Sequence, residues 1–289
     1  MPAAVLFVID NLEFGGGERG FLQVIEALAG DGRRVTVACH PGGVFTARAR
    51  AAGAAIVPLD MRRRAAPATI ARLRRAIRAA GARVVHSQGA RADFVTRVAL
   101  VGVPDVRLVC TVQMPPAGFD VSAVRRRLYA ALDRALAGRV DRFIVVSPAL
   151  RRRLVDAGVP PARVRVIPNG VEPAPTDVSL LRAVEIAVVP SRREGFPMIT
   201  LEAMSVGTPV VATAIDGIQE QIESDVDGLL VSPGDATSLA DAVVRLFGDA
   251  ALREKLGAAA RRRVETSFTV AGVVAATRRV YAELEAAAG

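Results

Sequence analysis

A chain of 289 residues that is 51% hydrophobic and 23% charged has the composition of a globular protein with room for one large domain or two modest ones. Its net charge of +9 is carried by arginine, Lys255 being the only lysine among 38 basic residues, and an aromatic content of 4% leaves few of the stacking platforms that nucleic-acid binding needs, so that partner is disfavoured. The opening apolar run, Ala3 to Ile9, has no basic flank and ends in an acid; it fits neither a secretory signal nor a span of about 20 residues, so the expected location is the cytoplasm.

Short β-branched runs alternate with longer Ala/Arg/Leu segments, the pattern of βα units winding a parallel sheet. Strands are expected at Val5 to Ile9, Arg34 to Ala38, Ala55 to Val57, Arg83 to His86, Arg107 to Cys110, Arg142 to Val146 and Val164 to Ile167. Cys39 and Cys110 close two of them without the paired spacing of a zinc or redox motif, so two reduced, buried thiols are expected and no metal cluster is visible. Ser147 before Pro148 reads as an N-cap with proline in the first helical position, opening a helix to about Ala157. From Val171 to Thr176 the chain is punctuated by proline and reads as a linker, dividing a domain over 1–172 from one over 173–289. Beyond it, strands are expected at Glu185 to Val189, Pro209 to Ala212 and Gly228 to Val231. Helices are expected at Met198 to Val206, Ser238 to Phe247, Ala251 to Thr266 and Val270 to Ala287. Arginine runs such as Arg151 to Arg153 and Arg261 to Arg263 read mainly as solvated helix faces, with attraction to an anionic membrane surface as the alternative.

The string from Ser191 to Glu202, SRREGFPMITLE, lies between an apolar strand and an apolar helix and holds Glu194 and Glu202 eight positions apart. Gly195 and Pro197 punctuate a helix start, so backbone N–H groups near Pro197 to Thr200 are expected to face an anion at the end of the strand. Glu202 on the helix is suited to accept two hydrogen bonds from a ribose, and Glu194 is left for a second polyol. Near the start, Gly15, Gly17 and Gly20 satisfy G-x-G-x-x-G, but five loop residues intervene after the strand and the second strand ends in Cys39-His40 rather than an acid, so an oxidoreductase reading is weak. His86 closes a strand at the edge where ligands bind in open α/β sheets; a substrate contact and a satisfied core histidine are both open.

EGFPMITLEAM with VGTPVVAT, Glu194 to Thr213, resembles the E-x7-E signature of retaining GT-B glycosyltransferases of family four. Asn11 to Arg19, NLEFGGGER, looks like that family's first glycine loop, and Asp227 to Asp235, DGLLVSPGD, like its late turn. The resemblance implies an α/β, GT-B fold of two Rossmann-like, doubly wound domains, with the last helix crossing back toward the first. It implies transfer of a sugar from a nucleotide-sugar donor to a hydroxyl acceptor with retention, without cofactor or obligatory metal. Glu194 and His86 are then the catalytic candidates. Gly15, Gly16, Gly17, Gly195, Phe196, Pro197, Met198, Ile199 and Glu202 would bind the donor, and Gln113 and Arg91 the acceptor. The acceptor is a glycan, a lipid-linked or a small-molecule hydroxyl compound, and an arginine-rich helix near Val121 to Leu136 could bring peripheral contact with the inner membrane face.

Three departures qualify the resemblance. Gln88 and Gln113 stand where related enzymes often carry histidines, and neither can hold a proton at neutral pH. No basic GR-and-K loop follows Asn169. Pro175-Thr176-Asp177 runs directly into Val178-Ser179-Leu180-Leu181, so about three βα steps of the second domain are expected to be absent, each βαβ unit needing roughly 30 or more residues. The alternative function is therefore a catalytically impaired or non-enzymatic relative that serves as a binding or scaffold module.

Overall fold

The computed structural model describes residues 3–12, 14–62, 66–114, 136, 138–173 and 178–287. Glu13, nearly all of the arginine-rich segment near Val121 to Leu136 and the stretch 174–177 lie outside the described residues. The chain divides into two compact units, one made of Met1–Val145, Arg151–Arg165 and Ala276–Gly289, the other of Val146–Leu150 and Val166–Ala275.

The chain first alternates β1 (Ala4–Ile9), α1 (Gly16–Gly30), β2 (Val35–Cys39), α2 (Gly43–Ala51), β3 (Ala55–Pro58), α3 (Pro67–Ala80), β4 (Ala82–Gln88), α4 (Ala90–Ala99), β5 (Arg107–Val112) and β6 (Arg142–Val145). It continues through α5 (Pro148–Asp156) to β7 (Val164–Val166). Every residue of β1 is buried, as strands covered by helices on both faces require. The seven strands form one sheet in the order β3-β2-β1-β4-β5-β6-β7, and the pairings from β3 to β6 are parallel. The order reverses between β1 and β4. An open α/β sheet binds ligands outside the carboxyl ends of its strands at such a switch point, which here means the residues after Ile9 and around Gln88. Ser147 begins α5 as expected, its Oγ accepting the N–H of Leu150 at 3.3 Å.

The second sequence block forms α6 (Ser179–Ala183), β8 (Ala187–Val189), α7 (Met198–Ser205), β9 (Val210–Thr213), β10 (Leu229–Val231), α8 (Ala236–Gly248), α9 (Ala250–Ser267) and α10 (Val270–Ala286). Its sheet has three parallel strands in the order β10-β9-β8. Val211, Leu229 and Val231 pack against Leu246 of α8 and Leu256 of α9 to form its core. Asp235 and Asp249 cap α8 and α9, accepting the N–H groups of Ser238 and Leu252 at 2.9 Å each. The start of the expected linker is anchored: Val171 forms a parallel bridge with Thr269, and its N–H donates to the Phe268 carbonyl at 2.9 Å. No helix among the described residues is long and apolar enough to cross a membrane.

Candidate functional site

In the second unit the string from Ser191 to Pro197 leaves the carboxyl end of β8 and turns into α7. Pro197 is the N-cap, extended at φ −67 and ψ 133, and no side chain caps the helix. The leading N–H groups of a helix have no intrahelical acceptor, and the helix dipole adds partial positive charge there. Gly195, Phe196, Pro197 and Met198 are buried, while Ile199 is exposed. Glu194 is half-buried, and its Oε1 accepts the Ser191 hydroxyl at 3.0 Å. The Thr213 hydroxyl at the end of β9 donates to the Ser191 carbonyl, tying this loop to the neighbouring strand.

Glu202 projects from α7 with only 5% of its surface exposed. A buried carboxylate is sustained by hydrogen bonds or charge, and Glu202 is not without partners. The loop is gripped at successive carbonyls, with Asn169 Nδ2 donating to Phe196 O at 3.0 Å and Gln221 Nε2 to Pro197 O at 2.9 Å. The Phe196 ring packs edge-on against Phe268 at 5.5 Å between centroids. Beneath the loop, Gly217 adopts φ +86, and an added Cβ there would sit 2.7 Å from the Gly195 carbonyl carbon. Glu220 holds this turn with both carboxylate oxygens, accepting the N–H of Gly217 at 2.9 Å and that of Ala149 at 3.0 Å.

In the first unit, Gly15 is the N-cap of α1 and Gly16 and Gly17 are its first residues. The Gly15 N–H donates to Glu18 Oε2 at 3.0 Å. Gln88 Nε2 donates to Gly17 O at 2.8 Å, and Gln113 Nε2 donates to Gln88 Oε1 at 3.2 Å. The two glutamines thus join the ends of β4 and β5 to the first turn of α1, and a Cβ on Gly17 would press on Gln113 Cγ at 3.3 Å. Arg91, in the first turn of α4, is 41% exposed and donates to Asp10 Oδ2 at 2.7 Å, while Asp10 Oδ1 is buried without a hydrogen-bond partner.

His86 departs from the expectation of a catalytic contact. It is 2% exposed, with Nδ1 2.6 Å from the Tyr281 hydroxyl and Nε2 2.7 Å from Thr111 Oγ1. Phe7, Phe21 and Tyr281 surround its ring. Burial lowers its pKa to about 3, so the ring is neutral at physiological pH. With both nitrogens engaged inside the protein, neither is left for a substrate, and the geometry fits the core-histidine alternative.

Glycosyltransferase Family 4 matches residues 14–174, more than half of the chain. The chain belongs to this family. Glycosyl transferases group 1 also matches, over residues 126–249, a stretch that includes the Glu194 loop and α7. Similar family relatives include a D-inositol 3-phosphate glycosyltransferase of Geodermatophilus obscurus, 33% identical over 207 residues, covering 58% of this chain and 45% of that protein. A second, from Salinispora arenicola, is 38% identical over 111 residues, covering 38% of this chain and 25% of that one. The chain therefore spans 25% to 45% of the length of these curated relatives. Among solved structures, Anabaena HepE in complex with UDP superposes with a TM-score of 0.82 at 16% identity, covering 97% of this chain and 100% of that one. Sucrose-phosphate synthase from Thermosynechococcus elongatus superposes with a TM-score of 0.77 at 20% identity, covering 98% and 100%. These likenesses show the fold, two Rossmann-like α/β units of the GT-B kind with a smaller second sheet.

Within this family frame, four residues that the sequence did not single out contribute to the local geometry: Asp10, Gly217, Glu220 and Gln221. Only one carries a sequence signal. Asp216-Gly217 is a dipeptide typical of a turn needing positive φ. Glu220 meets Gly217 three residues away but also Ala149, 71 positions off, and Gln221 reaches Pro197 across 24 positions; these distant partners are backbone groups, which leave no spacing to read.

Proposed function

We propose that this chain is a retaining glycosyltransferase that moves a sugar from a nucleoside-diphosphate donor to a hydroxyl acceptor, using no separate cofactor and no obligatory metal. Family membership and the arrangement at α7 support this reading, and the arrangement carries it: one carboxylate lies in the loop, one lies buried on the helix, and an uncapped helix start lies between them. Glu202 accepts the ribose hydroxyls, Glu194 meets the donor sugar, and backbone N–H groups from Gly195 to Ile199 face the diphosphate. Gly15, Gly16 and Gly17 lie on the sugar and phosphate side of the first unit, and Arg91 and Gln113 on the acceptor side. The Anabaena protein of the same fold binds UDP and UDP-glucose, which makes a nucleotide sugar the fitting donor class. Chemistry of this kind rests on placing the acceptor and stabilising the departing diphosphate.

A second reading is favoured by one observation, the three-stranded sheet of the second unit. If about three βα steps of the family pattern are absent, the base loses part of its pocket and the diphosphate its basic loop, leaving a binding or scaffold protein. Isothermal titration with UDP, GDP and ADP separates the two. The enzyme reading expects micromolar binding of one of them, weakened at least about tenfold in Glu202→Ala by loss of hydrogen bonds to a charged group. Silence across the panel would refute it in favour of the scaffold.

A further inference from the structure

Gln221 is wholly buried, at 0% exposure, in the turn that leads from β9 toward β10. Its Nε2 donates to Pro197 O at 2.9 Å, while its Oε1 is buried and has no hydrogen-bond partner. A carbonyl oxygen accepts and cannot donate, so the bond to Pro197 O dictates which end of the amide faces the loop and which end is left unpaired. An apolar side chain of the same bulk would remove the orphaned Oε1 but would also take the donor from Pro197 O, so the glutamine keeps one unpaired oxygen for the sake of that single bond.

The held carbonyl belongs to the peptide plane that carries the Met198 N–H. The described backbone contains no cis peptide, and in a trans peptide C=O and N–H point in opposite directions from one plane. Met198 is the first residue of α7, so its N–H has no intrahelical acceptor. Proline fixes its own φ, here −67, which leaves Pro197 ψ as the remaining soft torsion that turns this plane. The Gln221 bond holds that torsion. The Asn169 bond to Phe196 O, at 3.0 Å, holds the preceding plane.

We propose that Gln221 is a positioning residue for the donor diphosphate: it aims the Met198 N–H by fixing the Pro197–Met198 peptide plane. This rests on the nucleotide-sugar reading of the same loop. Gln221 touches no substrate and acts through the backbone it orients.

The test compares wild type with Gln221→Leu, which keeps the bulk while removing both the donor and the orphaned oxygen. UDP, GDP and ADP are titrated alongside uridine, guanosine and adenosine, and thermal midpoints are measured. The expected result is about tenfold weaker binding of the diphosphate that wild type prefers, since hydrogen bonds to charged groups are the strong ones. Affinity for the matching nucleoside stays unchanged, and the thermal midpoint changes little, the lost bond to Pro197 O offsetting the removal of the orphaned oxygen. An equal loss for nucleoside and diphosphate, or no loss for either, overturns the proposal while leaving the donor reading intact. Failure of wild type to bind any of the three diphosphates overturns the donor reading and this inference with it. Should Gln221→Leu not fold, the titration is run on Gln221→Met, whose unbranched chain adapts to the same slot; failure of both to fold assigns Gln221 to the core and also overturns it.

Discussion

Replacing Gly217 by alanine tests how closely the turn supports the Glu194 loop. Gly217 has φ +86, and an added Cβ would lie 2.7 Å from the Gly195 carbon and 3.2 Å from the Phe196 nitrogen, and closer still to the Gly195 oxygen. Two penalties follow. Alanine in the left-handed region costs about 1–2 kcal/mol, and forcing a methyl against backbone that cannot swing aside costs roughly another 1–3 kcal/mol, giving about 2–5 kcal/mol together. Gly234 provides the control, because it has nearly the same backbone, φ +85, with nothing within 4 Å of an added Cβ. Gly234→Ala should therefore lose only the conformational part, about 1–2 kcal/mol. Urea unfolding read from the midpoint at unchanged slope separates the two variants. Gly217→Ala should also weaken nucleoside-diphosphate binding under conditions where it stays folded, because the group displaced is the neighbour of Glu194. Equal destabilisation of the two variants would refute the close approach and the supporting role assigned to this turn.

Stability should fall on acidification as His86 is forced to charge. Its folded pKa is lowered by burial from 6.5 to about 3, so below 6.5 the unfolded chain holds a proton that the folded chain does not. The contribution is fully present above 6.5 and is lost as pH falls toward 3, at about 1.4 kcal/mol per pH unit. Urea midpoints across that window should show a shallower slope for His86→Gln, and an unchanged slope would contradict the assignment. Cys39 and Cys110 are buried and unpaired by disulfide, burial raising the first thiol and pushing the second up to about 12. An aromatic disulfide reagent at pH 8 should label neither in the native protein and both in denaturant, with fast native labelling of either counting against the described core.

The sheet of the first unit was legible because its strands are apolar on both faces, and such runs stand out between Ala/Arg/Leu helices. The strand ends were less so. β4 runs on to Gln88, where Ser87 and Gln88 look like loop residues until their pairing with β1 and β5 is known. In the second unit, Glu194 and Glu202 could be picked out because the helix start, the glycine and the spacing all lie within one short string. The supports of that string could not. Asn169 and Gln221 reach it from 27 and 24 positions away, and bonds to backbone carbonyls impose no pattern on the residues that accept them. His86 shows the same limit: its place at a strand end suited a substrate contact, and its neutral, enclosed state depends on Tyr281, 195 positions further on.

That Tyr281 hydroxyl bears on how the protein is made. On a ribosome, all seven strands of the larger sheet emerge long before residue 281 does, yet until then one nitrogen of the enclosed imidazole has no partner and an aromatic slot stands open. Maturation of the earliest-synthesised region is thus deferred to the end of translation, and a shortened gene stopping after the proline-punctuated stretch would encode a half-finished hydrophobic interior rather than an autonomous domain.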